Sequence, residues 1–261
     1  MNEKNNLLSI ENLTINFGGL RALDDVFLNI APNQVVSLIG PNGAGKTTLF
    51  NAICGLVKPN SGAISFEGKK IKWPKPSQLA DYGIARTLQG VGLYSGLTVL
   101  ENVMMGADKH KNSYFVKDLF GLSAKNEDGL KARAMDALAW AGAADKFELS
   151  PSELTYPDSK RVALARALVM QPKLLLLDEP AAGLGQDEID NLAKLINDLK
   201  RTCAVLLVEH HVDFVSNISD QVYVLNFGKV ISSGDFETVK RDPAVVAAYL
   251  GVDSSTEDGA L

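Results

Sequence analysis

Two clusters of residues in this chain have the types and spacing to do chemistry. The first, Gly40-Pro41-Asn42-Gly43-Ala44-Gly45-Lys46-Thr47, fits the pattern of a glycine, four residues, then Gly-Lys-Ser/Thr. Glycines let a loop wrap closely enough for its backbone N–H groups to point at phosphate oxygens. The N-terminus of the helix that follows adds a dipole favourable to anions. In such a cradle Lys46 reaches the β- and γ-phosphates of a nucleoside triphosphate, Thr47 sets its hydroxyl on Mg²⁺, and Thr48 hydrogen-bonds the α-phosphate. A chance match arises in about one chain in a hundred of this length, and the strand before and helix after it weaken chance further. The second cluster is the pair Asp178-Glu179, at the end of the apolar run Leu174-Leu175-Leu176-Leu177. Side chains alternate along a strand, so the two acids are expected to face different ways. Asp178 then orients Mg²⁺, through water, and Glu179 polarises the water that attacks the γ-phosphate. Pro180 is expected to stop the strand. Alone, such a pair is more often a solvated turn; a phosphate loop in the same chain favours the catalytic reading.

These groups need a scaffold. Val35–Ile39, Leu174–Leu177 and Ala204–Val208 read as buried strands, separated by helical patterns at 46–56, 158–170 and 187–200. That alternation predicts an α/β fold with a parallel sheet and helices on its faces. Residues 7–30 and 63–71 are short, β-like and turn-bounded, which predicts an antiparallel layer. Residues 97–150 look helical. Thr98 is a plausible N-cap with Glu101 three residues on, and Leu130, Ala134 and Leu138 have helical spacing within a second helix around 131–141. Between them, 108–128 is expected to be an irregular, mobile insertion, and 252–261 a disordered acidic tail.

Composition removes several classes. The chain has 261 residues, 46% hydrophobic and 22% charged, which is globular and large enough for a sizeable core. Two cysteines, Cys54 and Cys203, make neither a disulfide framework nor a metal-ligand spacing, and the cytosol is their natural compartment. The net charge of −5 argues against nonspecific nucleic-acid binding. No run approaches the roughly 20 apolar residues of a membrane span, so a membrane role is expected to pass through partners. The absence of an Asn-Lys-x-Asp motif argues against a GTPase.

The motifs taken together resemble the ATP-binding cassette (ABC) family, the motor subunits of ABC transporters, over about residues 7–251. The resemblance implies a P-loop ATPase core with an inserted helical subdomain at about 90–170, ATP and Mg²⁺ as ligands, and a single domain over 1–251. Gly83–Gln89 resembles the segment ending in the Q-loop glutamine, so Gln89 would contact Mg²⁺ and the attacking water. Val208-Glu209-His210 resembles the switch motif, in which His210 would hydrogen-bond the γ-phosphate. Phe17 matches the aromatic that stacks on adenine; the alternative is a core phenylalanine of the N-terminal sheet.

Two elements depart from the family. Where the signature loop reads Leu-Ser-Gly-Gly-Gln, this chain has Leu154-Thr155-Tyr156-Pro157-Asp158. Pro157 has no N–H to donate, and Asp158 brings negative charge to a γ-phosphate site. Locally the segment reads as a helix start, with Thr155 or Tyr156 before an early proline and an acid in the first turn. Gly185 stands where the D-loop has Asp or Asn. In the family's head-to-tail pair these elements serve the opposite nucleotide, so an asymmetric heterodimer is expected. The C-terminal stretch Arg241–Gly251 is similar to branched-chain amino-acid importer ATPases, with Asp242 as N-cap, Pro243 as first helical residue and Gly251 as the stop; related importers carry urea and short amides. The resemblance implies a peripheral subunit on the cytoplasmic face of the membrane. Its partners would be a second cassette, two integral membrane permease subunits that meet the surface around 92–120, and an extracytoplasmic solute-binding protein. An ATP-binding regulatory cassette with little turnover and a soluble non-transport cassette are the alternatives.

Overall fold

The computed structural model describes residues 6–87, 91–107 and 124–253. In chain order its strands and helices are β1 (Leu8–Phe17), β2 (Leu20–Ile30), β3 (Val35–Ile39), α1 (Lys46–Ile53), β4 (Ser61–Phe66), β5 (Lys69–Ile71), α2 (Leu79–Tyr82), β6 (Ile84–Arg86), α3 (Val99–Met104) and α4 (Ala124–Ala141). There follow α5 (Tyr156–Leu168), β7 (Leu174–Asp178), α6 (Gln186–Leu199), β8 (Ala204–Val208), α7 (Val212–Ile218), β9 (Gln221–Asn226), β10 (Lys229–Gly234), α8 (Phe236–Lys240) and α9 (Pro243–Asp253).

The strands form two sheets. β2-β1-β4-β5 is antiparallel throughout, as the turn-bounded N-terminal segments predict. The second sheet has the order β10-β9-β3-β8-β7-β6. Its strands β9, β3, β8, β7 and β6 are parallel, and β10 adds an antiparallel edge, so the predicted parallel sheet is in fact mixed.

The apolar runs are continuous because the sheet is covered on both faces. Leu174, Leu176, Leu206 and Val208 point into one core, against α1 and the antiparallel sheet. Leu175, Leu177, Val205 and Leu207 point into the other, with Leu164 of α5, Ile196 of α6 and Phe214 of α7. A third core joins Val99 and Val103 of α3, Ala134 and Leu138 of α4, and Val162 and Ala165 of α5. Helix α5 thus contributes to two cores and ties the helical layer to the sheet.

The helix boundaries follow local chemistry. Thr98 caps α3 in a full capping box: its Oγ1 accepts from Glu101 N–H at 3.2 Å, and Glu101 Oε2 accepts from Thr98 N–H at 2.7 Å. Thr98→Ala is expected to lower stability by about 1 kcal/mol, measured by urea unfolding, with Thr98→Ser near wild type. Thr155 rather than Tyr156 caps α5, and Pro157 falls in the first turn, where its missing N–H is tolerated.

Three boundaries differ from expectation. Residues 124–128, expected to be irregular, begin α4; 108–123 lie outside the described residues. Gly251 does not end the last helix, which runs to Asp253, and 254–261 lie outside the described residues. The strand carrying the acidic pair ends at Asp178, before Glu179 and not at Pro180.

Candidate active site

The parallel strands β3, β8 and β7 are neighbours, and the loops leaving their C-terminal ends carry the chemistry: Gly40–Gly45, Glu209-His210 and Glu179-Pro180 respectively. Open parallel sheets bind ligands at this edge.

The phosphate loop requires its glycines. Gly40 has φ 145°, and a Cβ there would lie 2.0 Å from the carbonyl oxygen of Leu225. Gly45 has φ 104° and packs on the β1–β2 hairpin, where a Cβ would come within 2.8 Å of the Ala22 carbonyl oxygen. Gly45 is the N-cap of α1 and offers no side-chain cap, so the first N–H groups of that helix point at the loop without a competing acceptor from the cap. The β9–β10 hairpin buttresses the loop, with Gly228 N–H donating to Ala44 O at 2.9 Å. Lys46 folds back over the loop, and its ammonium donates to the carbonyls of Gly40 (2.6 Å) and Pro41 (2.9 Å). Burial pushes the lysine pKa down, and the Glu179 carboxylate opposes that shift. Thr47 is exposed and Thr48 partly covered; Asn42 and Gly43 are exposed on the rim of the loop.

Asp178 ends β7. Burial first, then the neighbouring Glu179 charge, raises its pKa, while the Arg86 guanidinium on β6 opposes the shift. Glu179 has φ 46°, the left-handed region, which costs a non-glycine residue about 1–3 kcal/mol. The backbone therefore leaves the strand geometry right after Asp178, so strand alternation does not set the relation between the two acids, whose charges lie close enough for Glu179 to raise the Asp178 pKa. Glu179 Oε1 lies 3.8 Å from Nδ1 of His210. The structure thus brings together Lys46, Asp178, Glu179 and His210, which are far apart in sequence.

The other expected site residues divide. Phe17 ends β1 and is 51% exposed, which removes the core alternative. Gln89 lies outside the described residues. In the segment 154–158, the Thr155 hydroxyl is engaged by its own helix, donating to Asp158 Oδ2 at 2.6 Å. The Asp158 charge is met by Arg161 at 3.5 Å and Lys146 at 3.8 Å, so it does not project as a bare anion. Tyr156 is exposed, with its ring against Gly183 and the Lys160 ammonium; Leu154 packs on the helical core. Gly185 is the N-cap of α6 and supplies no side-chain cap.

Sequence reasoning assigned no role to Glu209 or Lys160. Glu209 is the one fully buried carboxylate among the described residues, 1% exposed. Its signal was available, because it follows the buried run of β8 directly and precedes His210.

The donor set fits ATP with Mg²⁺. A backbone cradle that a Cβ would fill, an ammonium and a helix N-terminus suit phosphates. The Thr47 hydroxyl and the Asp178 carboxylate are the hard oxygen donors that Mg²⁺ takes alongside substrate phosphates and water.

A model of the ABC transporter family matches residues 23–182. The chain belongs to the ABC transporter family of ATP-binding cassettes. A second model, described as the branched-chain amino acid ATP-binding cassette transporter, matches residues 229–254 of the cassette, from β10 to the end of α9. The cassette is 38% identical over 251 residues to the high-affinity branched-chain amino acid transport ATP-binding proteins LivG of Escherichia coli K12 and BraF of Pseudomonas aeruginosa. Each match covers 94% of this chain and 98% of the relative. A probable LivG from Methanocaldococcus jannaschii is 33% identical over 260 residues, covering 96% of this cassette and 100% of the relative. Among solved structures, the ADP conformation of MJ1267, an ATP-binding cassette of an ABC transporter, superposes with TM-score 0.81 at 32% identity, covering 94% of this chain and 99% of that one. The cassette is accordingly an ATPase whose hydrolysis is coupled to transmembrane transport. No helix among its described residues is long and apolar enough to cross a membrane.

Proposed function

We propose that this cassette is the ATP-hydrolysing subunit of an importer for branched-chain amino acids or related small polar solutes, urea and short amides included. The observation that carries the reading is the convergence of Lys46, Asp178, Glu179 and His210 at one sheet edge. The cargo class is supported by the kinship with LivG and BraF and by the C-terminal match over 229–254. Residues 1–251 act as one ATPase domain with the helical subdomain of about 90–170 inserted in it.

In this reading Lys46 and the N–H groups of the loop from Gly40 to Gly45 hold the phosphates, Thr48 reaches the α-phosphate, and Phe17 stacks on adenine. Thr47 and Asp178 would hold Mg²⁺, with Gln89 as a further ligand, and the bound ion would supply charge stabilisation for the phosphoryl oxygens. Glu179 accepts the proton of the attacking water, and His210 donates a hydrogen bond to the γ-phosphate.

The cassette works at the cytoplasmic face of the membrane with a second cassette, two permease subunits and an extracytoplasmic solute-binding protein. Tyr94 and Met105 are exposed large apolar side chains on the helical layer and support a permease contact there. The pair of cassettes is an asymmetric heterodimer. This chain's phosphate loop meets an ordinary signature from its partner, while the partner's ATP meets Pro157. The missing N–H of Pro157 carries that asymmetry more than the charge of Asp158, which Arg161 and Lys146 offset. The test is ATPase activity of this chain alone and mixed with the second cassette. The mixture is expected to hydrolyse ATP and this chain alone to show little turnover; a normal cooperative rate from this chain alone overturns the heterodimer.

A further inference from the structure

The turn after Glu179 is held from two sides by groups to which the motifs give no role. From one side the Lys160 ammonium on α5 donates to the carbonyls of Glu179 (3.4 Å), Pro180 (2.9 Å) and Ala182 (2.5 Å). From the other, Glu209 Oε1 accepts from Ala181 N–H at 2.8 Å. The second oxygen of the same carboxylate, Oε2, accepts from the backbone N–H groups of His210 (3.0 Å) and His211 (3.2 Å). The backbone N–H of Glu209 donates to Leu38 O at 3.3 Å, on the strand that leads into the phosphate loop.

One buried carboxylate therefore spans two loops. One oxygen fixes the turn that carries Glu179, and the other fixes the backbone that carries His210. Hydrogen bonds to an ionised acceptor are the stronger kind, and buried N–H groups are costly to strand. We propose that Glu209 is a positioning residue for hydrolysis: it sets the placement of the His210 imidazole relative to the Glu179 carboxylate, now 3.8 Å apart. The inference rests on the roles given above to Glu179 and His210. It assigns Glu209 no contact with nucleotide.

Glu209→Gln tests it with almost no change of shape. An amide has one acceptor oxygen and one NH₂ donor, so either the Ala181 N–H or the pair on His210 and His211 must face a donor. In the assembled transporter, kcat is expected to fall by about 10- to 100-fold, while KM for ATP changes by less than about threefold, because the phosphate loop is untouched. In a cycle with His210→Ala, the two losses are expected to combine to less than their product, because the part of the Glu209 effect that runs through His210 is already gone. Should the glutamine variant not fold, Glu209→Asp supplies the same reading, since it keeps both oxygens but withdraws them by one methylene; the same fall in kcat at near-constant KM is expected. Full kcat in either folded variant, or losses that multiply in the double variant, would overturn the proposal. Wild-type rate in His210→Ala would instead overturn the role of His210 itself, and the coupling with it.

Discussion

Glu179→Gln is expected to lower ATP hydrolysis by roughly a hundredfold to ten-thousandfold, the range for loss of a general base, with ATP binding retained. The substitution keeps the side-chain volume and removes only the ability to take a proton from water. Its anchors are main-chain bonds and survive the change: the Glu179 N–H to Val208 O at 3.0 Å and the Lys160 ammonium on the following carbonyls. Glutamine also tolerates the left-handed backbone at this position no worse than glutamate does. Phosphate release by the mixed cassettes gives the rate, and fluorescent-nucleotide titration gives the affinity. An unchanged rate would mean that the working site lies in the partner cassette, and the assignment of the asymmetry would reverse.

Lys46→Ala acts at the other end of the same reaction and is expected to strike binding. The Lys46 ammonium is half-buried, already turned over the loop, and close enough to Glu179 for that carboxylate to oppose the fall in its pKa. A hydrogen bond from a charged donor to a phosphate oxygen is worth about 1.5–3 kcal/mol, so ATP affinity should fall by about ten- to a hundredfold. Hydrolysis should then need about ten- to a hundredfold more ATP to reach half its maximum. Isothermal titration with ATP and Mg²⁺ reads the loss directly, and thermal unfolding without nucleotide reads separately the loss of the two Lys46 bonds to the Gly40 and Pro41 carbonyls. Wild-type affinity in this variant would place the phosphates elsewhere.

Much of this was legible because it is local. The order of glycines, lysine and threonine at 40–47 specifies a loop whose φ angles only glycine adopts easily, and the structure has Gly40, Gly43 and Gly45 at positive φ. The capping pair Thr98 and Glu101 and the cap of α5 at Thr155 follow from side chains three residues apart. The apolar runs of β3, β7 and β8 announce strands buried on both faces. The misjudged ends were also local: a helix continuing through Gly251, and a strand stopping one residue before Glu179. The strand end is tied to a long-range bond, the Glu179 N–H donating to Val208 O at 3.0 Å, which a preference read from the chain does not show.

The sequence by itself determined the class of fold and the local patterns of the glycine-rich loop at 40–47 and of the acidic pair after an apolar run, because each is written in residues close together in the chain. Only the tertiary structure decided that residues 40, 178 and 210 share one edge, since the order β9-β3-β8-β7 arises from burying long-range apolar faces and leaves no local mark. It alone decided that the backbone turns left-handed at Glu179 and that Glu209 grips two loops at once. The partners of Glu209 are backbone N–H groups, which nearly every residue carries, so their identity emerges only when the chain has brought them within reach.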